Sequence, residues 1–382
     1  MGSNNFVTLV FEHLLDIHLN KDVIQLPLEY ASKYCNGNFI VITRPNLFQK
    51  QISERIKIRL VDKIILSNHV LYQNKKFENL VSFQFWFLKA CLISGFRAST
   101  VFMYPFYGNP FLGSLIIRLA GLIKLKRVKV ILKLDSYFDV NVKMSRKQIF
   151  NRSIEYLFFD KIISDKELTF ECVNRIYYFF FYRKLIFIPN CTSNVYDEQM
   201  NFVRKEPDSY VFVGRVAEDV KNFKSLFNSW INMHQNGIFQ NEFLYVCGMI
   251  PEELLKEYQT KLRNIHKPNI VRFLGDLQTL ELKEILLKSN IFISTSLKEG
   301  SPISIQEAIK CKCGLILPDI SNFSELLCGH VGLIHEPINE INIMKTIKGV
   351  ISDPESFNQQ KTVQYKKYSN NSWKNYIHLI HE

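Results

Sequence analysis

Short apolar runs alternate along the chain with longer segments in which apolar residues recur every three or four positions. The short runs of the first half predict β-strands over residues 6–11, 39–43, 63–66, 100–104, 128–134, 161–164 and 185–188. The longer segments predict helices over residues 22–34, 79–93, 111–123, 147–158 and 166–180. Because consecutive parallel strands need a crossover, which a helix usually supplies, the alternation predicts a doubly wound α/β domain.

The second half repeats this alternation after an irregular polar stretch. Strands are predicted over residues 210–213, 243–247, 270–274, 291–295, 314–317 and 332–334. A chain of 382 residues is long enough for two domains that each bury a core. We therefore expect a first domain over residues 1–192, a linker over 193–208 and a second doubly wound domain over 209–353.

Composition indicates a folded protein in a reducing compartment. The chain is 47% hydrophobic and 22% charged, which excludes a disordered polymer. Its eight cysteines are scattered through apolar segments and lack the C-x-x-C pairs of zinc sites, which favours ordinary packing. No apolar run approaches the ~18 to 20 residues of a membrane span, and the N-terminus lacks a secretory pattern. We expect a cytoplasmic protein.

The net charge of +12 is concentrated in the first half, where 27 Lys and Arg face 16 Asp and Glu. A basic run that contains only two acids consists of Arg118, Lys124, Lys126, Arg127, Lys129, Lys133, Lys143, Arg146, Lys147 and Arg152. Such a field favours an anionic partner, either lipid headgroups at a membrane or a phosphate-bearing acceptor, or else is a solvated surface. The aromatic run 177–182 fits either a membrane interface or a buried helix end. Nucleic acid is not expected, because no recognisable nucleic-acid motif accompanies the charge.

Two strand-to-helix loops of the second half combine chemistry with the right position, since ligands of doubly wound sheets bind at the carboxyl ends of strands. In the first loop, Gly214 and Arg215 end a strand and Lys221 precedes an amphipathic helix. Two cations beside a helix start can neutralise a diphosphate. Taken alone, this pattern also fits cations that face solvent.

The second loop follows the strand over residues 291–295. Gly300 permits a tight turn, Ser301 suits a helix N-cap and Pro302 suits the first helical position. The amides of the first helical turn would then be available for phosphate oxygens. Glu299 and Glu307 flank this turn, and carboxylates bind sugar hydroxyls through charge-assisted hydrogen bonds. The structural alternative is a capped surface helix with two incidental glutamates.

The order and spacing of these elements resemble a known family. Gly214-Arg215, Lys221-Asn222, Phe273-Leu274-Gly275 and the pair Glu299 and Glu307 are similar to the motifs of the retaining GT-B glycosyltransferases of family 4, the glycosyl transferases group 1. The resemblance implies two Rossmann-like domains facing across a cleft. It also implies a C-terminal helix over residues 354–382, around Ser372-Trp373, that crosses back onto the first domain.

The resemblance also implies roles for these residues. Arg215, Lys221 and Glu299 would be catalytic: the cations would hold the donor diphosphate, and Glu299 the transferred sugar. Other donor-binding residues would be Gly214, Gly300, Ser301, Pro302, Ile303, Ser304 and Glu307, with Glu307 on the ribose hydroxyls. In the first domain, Asp135 stands near the place of a family histidine and would contact the sugar or acceptor. No metal or other cofactor is implied, and the chain has no Asp-x-Asp triplet.

The function implied is transfer of a sugar with retention of configuration from a nucleotide diphosphate donor, expected to be a UDP-sugar. The acceptor would be a saccharide or lipid-linked glycan in surface polysaccharide assembly, with the protein in the cytoplasm or on the inner face of the membrane. Two alternatives stay open. One is a nucleotide-sugar epimerase or a glycoside phosphorylase on the same fold, and the other is a basic module without enzymatic activity that binds a membrane or nucleic acid.

Overall fold

The computed structural model describes residues 7–10, 22–36, 39–43, 65–66, 78–104, 110–134, 157–164, 184–192, 194–196, 203–217, 219–299, 302–320 and 323–382. The chain divides into two compact units. Met1–Cys191 and Ser372–Glu382 form the first unit, and Thr192–Asn371 form the second. The helices predicted over 166–180, most of 147–158 and the aromatic run 177–182 lie outside the described residues.

In the first unit, seven described strands form a parallel sheet in the order β3-β2-β1-β4-β5-β6-β7. The strands are β1 (Val7–Val10), β2 (Phe39–Thr43), β3 (Ile65–Leu66), β4 (Thr100–Met103), β5 (Lys129–Lys133), β6 (Lys161–Ser164) and β7 (Leu185–Phe187). The described helices between these strands are α1 (Asp22–Tyr34), α2 (Glu78–Arg97) and α3 (Pro110–Ile123). Central strands buried on both faces are nearly continuous apolar runs, which is why the sequence predicts each of them.

The second unit contains a parallel sheet of six described strands in the order β10-β9-β8-β11-β12-β13. The strands are β8 (Glu206–Val213), β9 (Phe243–Cys247), β10 (Val271–Gly275), β11 (Ser289–Ile293), β12 (Gly314–Pro318) and β13 (Leu333–Ile334). The helices are α4 (Phe223–Gln235), α5 (Glu252–Asn264), α6 (Thr279–Lys288), α7 (Ile303–Lys310), α8 (Phe323–Leu327), α9 (Glu340–Ser352) and α10 (Pro354–Tyr368). The doubly wound architecture predicted for both halves is confirmed.

Strand β8 begins inside the segment predicted as a linker, so that part of the prediction is wrong. Glu206 already pairs with Ser289 of β11, whereas pairing with β9 starts only at Ser209. Pro207 has no N–H to donate. It is tolerated in this strand because it precedes Ser209, where β8 begins to pair with neighbouring strands on both sides. The segment Glu206-Pro207-Asp208 is therefore the beginning of β8, which pairs with β11 but not yet with β9, rather than a turn.

The single C-terminal helix predicted over residues 354–382 is also wrong. Helix α10 belongs to the second unit, where Phe357 packs against Gly314 of β12. Residues 372–382 belong to the first unit and form a 3-10 turn, Trp373–Asn375, followed by α11 (Ile377–His381). The helix stops because a polar stretch, residues 369–372, follows Tyr368, and the next apolar side chains, headed by Trp373, enter the core of the first unit.

Much of the predicted basic surface is engaged inside the first unit. Arg118 pairs with Asp160 at 2.8 Å, and Lys129 donates to two carbonyls of the last turn of α11 at 2.5 and 2.9 Å. Lys133 is only 1% exposed and pairs with Asp22 at 3.2 Å. These three side chains are therefore structural, which corrects their assignment to a basic field that either binds an anionic partner or faces solvent. Lys143, Arg146, Lys147 and Arg152 lie outside the described residues.

Candidate active site

Both sequence-predicted loops lie at the switch point of the second sheet. The chain proceeds from β8 through β9 to β10 on one side and then returns to β11, which is the other neighbour of β8. The loops that leave β8 and β11 therefore start side by side at the carboxyl edge and lead to helices on opposite sides, which opens a crevice for ligands. The described part of the second unit thus has its candidate site where this fold class binds ligands.

Glycine is required at position 248, directly after β9, because its backbone meets the backbone at the end of β8 there. The Gly214 amide donates to the Cys247 carbonyl at 2.9 Å, and a Cβ atom on Gly248 would lie 2.0 Å from the Gly214 carbonyl oxygen. A Cβ on Gly214 would be 3.5 Å from Cδ of Lys221. The glycine turn and the lysine, seven positions apart in sequence, are therefore in contact range in the fold.

Thr295 fastens the second loop to the first. Its buried hydroxyl donates to the carbonyl oxygens of Lys221 and Asn222 at 3.1 and 3.2 Å. The Leu297 amide donates to the Val220 carbonyl at 2.8 Å. Asn222 takes the left-handed conformation, with a φ of 49°, which asparagine tolerates better than most residues. These bonds fix the backbone beside Lys221 against the backbone before Glu299.

Lys221 and Glu299 form an ion pair between the two loops. Their side chains are 20% and 13% exposed, so the pair is half-shielded from water but still accessible. Ser296 donates its hydroxyl to the same carboxylate oxygen of Glu299 at 2.7 Å. The carboxylate is therefore held in one orientation by a cation and a hydroxyl. The family-like motifs of the sequence predict Lys221 and Glu299 as site residues. Thr295 and Ser296 belong to no motif, so the sequence does not predict them.

Arg215 is exposed and directly follows Gly214 at the carboxyl end of β8. The structure thus places Arg215 and Lys221 on one loop, where both contribute positive charge to the same edge of the sheet. That arrangement can attract and neutralise a diphosphate.

Helix α7 begins one residue later than predicted. Pro302 is the N-cap, with extended φ and ψ of −70° and 120°, and its carbonyl accepts a bond from the Ile305 amide at 3.3 Å. Ile303 is therefore the first helical residue, which corrects the placement of Pro302 at that position. The amides of Ile303 and Ser304 have no acceptor within their own helix, as at any helix start. Gly300, Ser301 and Asp135 lie outside the described residues.

Glu307 is buried in α7 and faces Tyr196. Burial and the adjacent negative charge of Glu307 raise the pKa of the Tyr196 phenol well above its ordinary value. Tyr196 lies in a 3-10 turn, Asn194–Tyr196, that packs within the second unit, although the sequence assigns it to the linker. The sequence predicts Glu307 but gives no signal for this tyrosine.

Residues 197–369 match the family Glycosyl transferases group 1. This match covers most of the second unit, including both loops of the candidate site. The comparison with curated proteins gave no match.

Solved structures resemble the whole chain. The glycosyltransferase from Rickettsia africae is similar over 99% of this chain and 97% of its own, with 15% identity and a TM-score of 0.66. Anabaena HepE in complex with UDP and glucose is similar over 99% and 98%, with 12% identity and a TM-score of 0.64. The UDP-GlcNAc 2-epimerase of Neisseria meningitidis bound to UDP-GlcNAc is similar over 98% and 99%, with 12% identity and a TM-score of 0.63. At such identities the likeness shows the fold, and the predicted GT-B architecture of two Rossmann-like domains is confirmed.

Proposed function

We propose that the protein is a retaining glycosyltransferase of family 4 that moves a sugar from a nucleotide diphosphate donor, with a UDP-sugar as the first choice. The observation that carries this proposal is the switch-point site, where Gly214, Lys221 and Glu299 meet in a segment that matches Glycosyl transferases group 1. Support for the base comes from structural neighbours whose complexes contain UDP or UDP-GlcNAc.

The two cations act on the leaving group. As the glycosidic bond breaks, negative charge grows on the diphosphate, and Lys221 and Arg215 stabilise it through charges already in place. Gly214 lets the phosphates approach the backbone closely. The backbone N–H groups of Gly300, Ser301, Ile303 and Ser304 are proposed as further donors to the phosphates. These cations do the work of a divalent metal, so we propose a metal-independent reaction that EDTA leaves unchanged.

The two glutamates act on hydroxyl groups. Glu299, held by Lys221 and Ser296, binds the transferred sugar on its reacting face, and Glu307 binds the ribose hydroxyls. Donor binding competes with the ion pair between Lys221 and Glu299. Lys221 then contacts the diphosphate, and Glu299 contacts the sugar, in place of each other. Asp135 is proposed as the contact of the first domain with the sugar or acceptor.

For the acceptor we propose a saccharide or a lipid-linked glycan in surface polysaccharide assembly, with the protein in the cytoplasm or on the inner face of the membrane. Within the described residues, no helix has both the length and the apolar character needed to cross a membrane.

The test is direct. The protein is first screened for thermal stabilisation by UDP, GDP and ADP, since a ligand at 100-fold its Kd adds about 2.7 kcal/mol of stability. It is then incubated with the sugar conjugates of the stabilising nucleotide, and released nucleotide and the anomeric configuration of the product are followed by NMR. We expect release of the nucleotide diphosphate with retention.

The test variant is Glu299→Gln, which changes the candidate site. The matched control is Glu284→Gln, which changes an exposed glutamate of α6. Glu299→Gln should lower turnover at least about a hundredfold, whereas Glu284→Gln should not. Equal turnover in both variants would refute the role of Glu299. Recovery of an intact nucleotide sugar with an altered sugar would instead establish the epimerase alternative.

A further inference from the structure

A pocket of about 360 Å³ opens at the amino edge of the first sheet, where β4, β5 and β6 begin. Substrates of doubly wound sheets bind at the opposite, carboxyl edge, so this pocket is separate from the substrate sites of the fold. Its volume lies within the range of small-molecule sites. The residues that line this amino-edge pocket are Ser99, Arg127, Lys129, Asp160, Lys161 and Glu382.

Hydrogen bonds between the strand starts hold the lining residues in place. The Lys129 amide donates to the Ser99 carbonyl at 2.9 Å, and the Asp160 amide donates to the Val130 carbonyl at 2.8 Å. The Asp160 carboxylate in turn accepts from the Val130 amide at 2.8 Å. The pocket is therefore preformed, as small-molecule sites usually are.

Asp160 does not cancel the positive charge of the amino-edge pocket, because its carboxylate is already shared. It accepts from Arg118 at 2.8 Å and from Arg127 at 3.3 Å. Burial, together with the charges of Lys161 and Arg127, lowers the pKa of Lys129, although Asp160 opposes the shift. An ammonium group that is surrounded by other cations gains from a bound anion.

Two opposite charges line the pocket without pairing with each other. Among the described residues, Lys161 and Glu382 form no ion pair. Lys129 donates two of its three protons, to the carbonyl oxygens of Ile380 and His381, so one N–H is left to donate. The space between these groups can hold a molecule that accepts from the cations and donates to the carboxylate.

We propose that the amino-edge pocket binds a small phosphorylated polyol, whose phosphate contacts the three cations and whose hydroxyls contact Glu382 and Ser99. Lysine and arginine form charge-assisted bonds with phosphate, and a carboxylate does so with hydroxyls. All six lining residues are polar, so a nucleotide, whose base needs an apolar contact, fits poorly.

Such a ligand would join the strand starts to the C-terminal segment of the first unit. Lys129 already bonds to the last turn of α11, and Glu382 directly follows that helix. A molecule bound to Lys161 and Glu382 together adds a second connection, so it should slow hydrogen exchange in α11. This inference goes beyond sugar transfer, because the pocket lies in the first unit and away from its carboxyl edge.

The experiment is isothermal titration calorimetry of the full chain with sorbitol 6-phosphate, with sorbitol and inorganic phosphate as its two fragments. No lipid is present, so any binding comes from the free compound. We expect a Kd of about 1 mM or tighter for sorbitol 6-phosphate, and at least about tenfold weaker binding of either fragment.

Two lysine variants test the place of binding. Lys161→Met should weaken the binding of sorbitol 6-phosphate about tenfold or more. The matched control is Lys124→Met, which removes the same charge from an exposed lysine of the same unit that does not line the pocket. Its affinity should be unchanged. Thermal unfolding without ligand should be the same for both variants, which separates binding from folding.

Glu382→Gln tests how the hydroxyls are bound. It should weaken sorbitol 6-phosphate several-fold, while inorganic phosphate binds as tightly as before or more tightly, because a negative charge is gone. Affinity for sorbitol 6-phosphate no higher than for inorganic phosphate would overturn the proposal. Equal affinities of Lys161→Met and Lys124→Met, or unchanged hydrogen exchange in α11 at saturating ligand, would overturn it as well.

Discussion

The two sheets carry an oppositely charged pair at equivalent edges, but the two pairs are built differently. In the first unit, Asp22 at the start of α1 pairs at 3.2 Å with Lys133 at the carboxyl end of β5. At the switch point of the second unit, between β8 and β11, Lys221 pairs with Glu299. Lys133 is 1% exposed, whereas Lys221 is 20% exposed.

Because of this difference in burial, the first pair supports the fold, whereas the second pair is accessible to a ligand. Lys133 lies on β5 itself and Asp22 on the first turn of α1, so regular elements hold both charges. Lys221 and Glu299 lie on loops that Thr295 joins through hydrogen bonds. We infer that the first pair contributes mainly to stability and the second mainly to binding and catalysis.

The largest effect is expected from Asp22→Asn, which leaves the ammonium of Lys133 buried without its counter-ion. We expect the free energy of unfolding to fall by about 3 to 5 kcal/mol, because an uncompensated buried charge is strongly destabilising. Urea denaturation measures this. Lys133→Met, which removes the buried charge and keeps the aliphatic stem, should cost less; a greater loss for Lys133→Met would show that the pair is not what holds this edge.

Acid should act next most strongly, through the buried His234 of the second unit. Burial, helped by the charge of Lys267, lowers the pKa of His234 from its ordinary value of 6.5 to about 4. As pH falls, the unfolded chain therefore takes up the proton first, and stability present above pH 6.5 is lost towards pH 4. We expect a loss of about 2 to 3 kcal/mol from this residue.

Hydrogen exchange of α4, the helix that contains His234, reports this loss, and His234→Phe provides the comparison. The variant should show a smaller decrease in protection between pH 6.5 and pH 4 than the wild type. Parallel pH profiles for the two proteins would contradict a neutral buried histidine.

Thr295→Val sharpens the contrast because it removes the bond between the two loops without changing either charge. The carbonyl oxygens of Lys221 and Asn222, which are part-buried, lose a donor, which should cost about 1 to 3 kcal/mol in thermal or urea unfolding. Nucleotide affinity should fall as well, since Lys221 and Glu299 lose their common support. Unchanged affinity in a destabilised variant would mean that the loops are positioned by other contacts.

The smallest stability effect is expected from Lys221→Met. The pair is partly exposed and Glu299 keeps its bond from Ser296, so we expect a loss below about 1 kcal/mol in urea denaturation, together with loss of activity. A loss as large as that of Asp22→Asn would remove the distinction between the two pairs.

The sequence predicts most strands because buried parallel strands are uninterrupted apolar runs, whose ends coincide with charged or turn residues. Prediction from the sequence fails where a polar residue or a proline lies inside the fold instead of on a surface or in a linker. Lys133 looks like one more member of a basic surface run, and only the packing of β5 against neighbouring elements shows that it is buried. Pro207 likewise resembles a linker residue until the one-sided pairing of Glu206 is known.

In the site, the sequence predicts residues that carry a motif and misses those that hold the motif in place. Lys221 and Glu299 are recognisable by order and spacing, and the fold brings them together. Thr295 and Tyr196 act through contacts with residues distant in sequence, so no local pattern marks them. Ser296 bonds to Glu299, three positions further on, but it belongs to no motif. The roles of Arg215, Glu299 and Glu307 in sugar transfer stay predictions.

We infer that the loops after β8 and β11 bind the diphosphate of a nucleotide. The most direct measurement is the affinity for UDP by isothermal titration calorimetry in Lys221→Met and in Lys224→Met, a neighbouring exposed lysine on α4. We predict that UDP binds at least about tenfold more weakly to Lys221→Met than to the wild type, while Lys224→Met binds normally. Equal affinities of the two variants for UDP would contradict the claim.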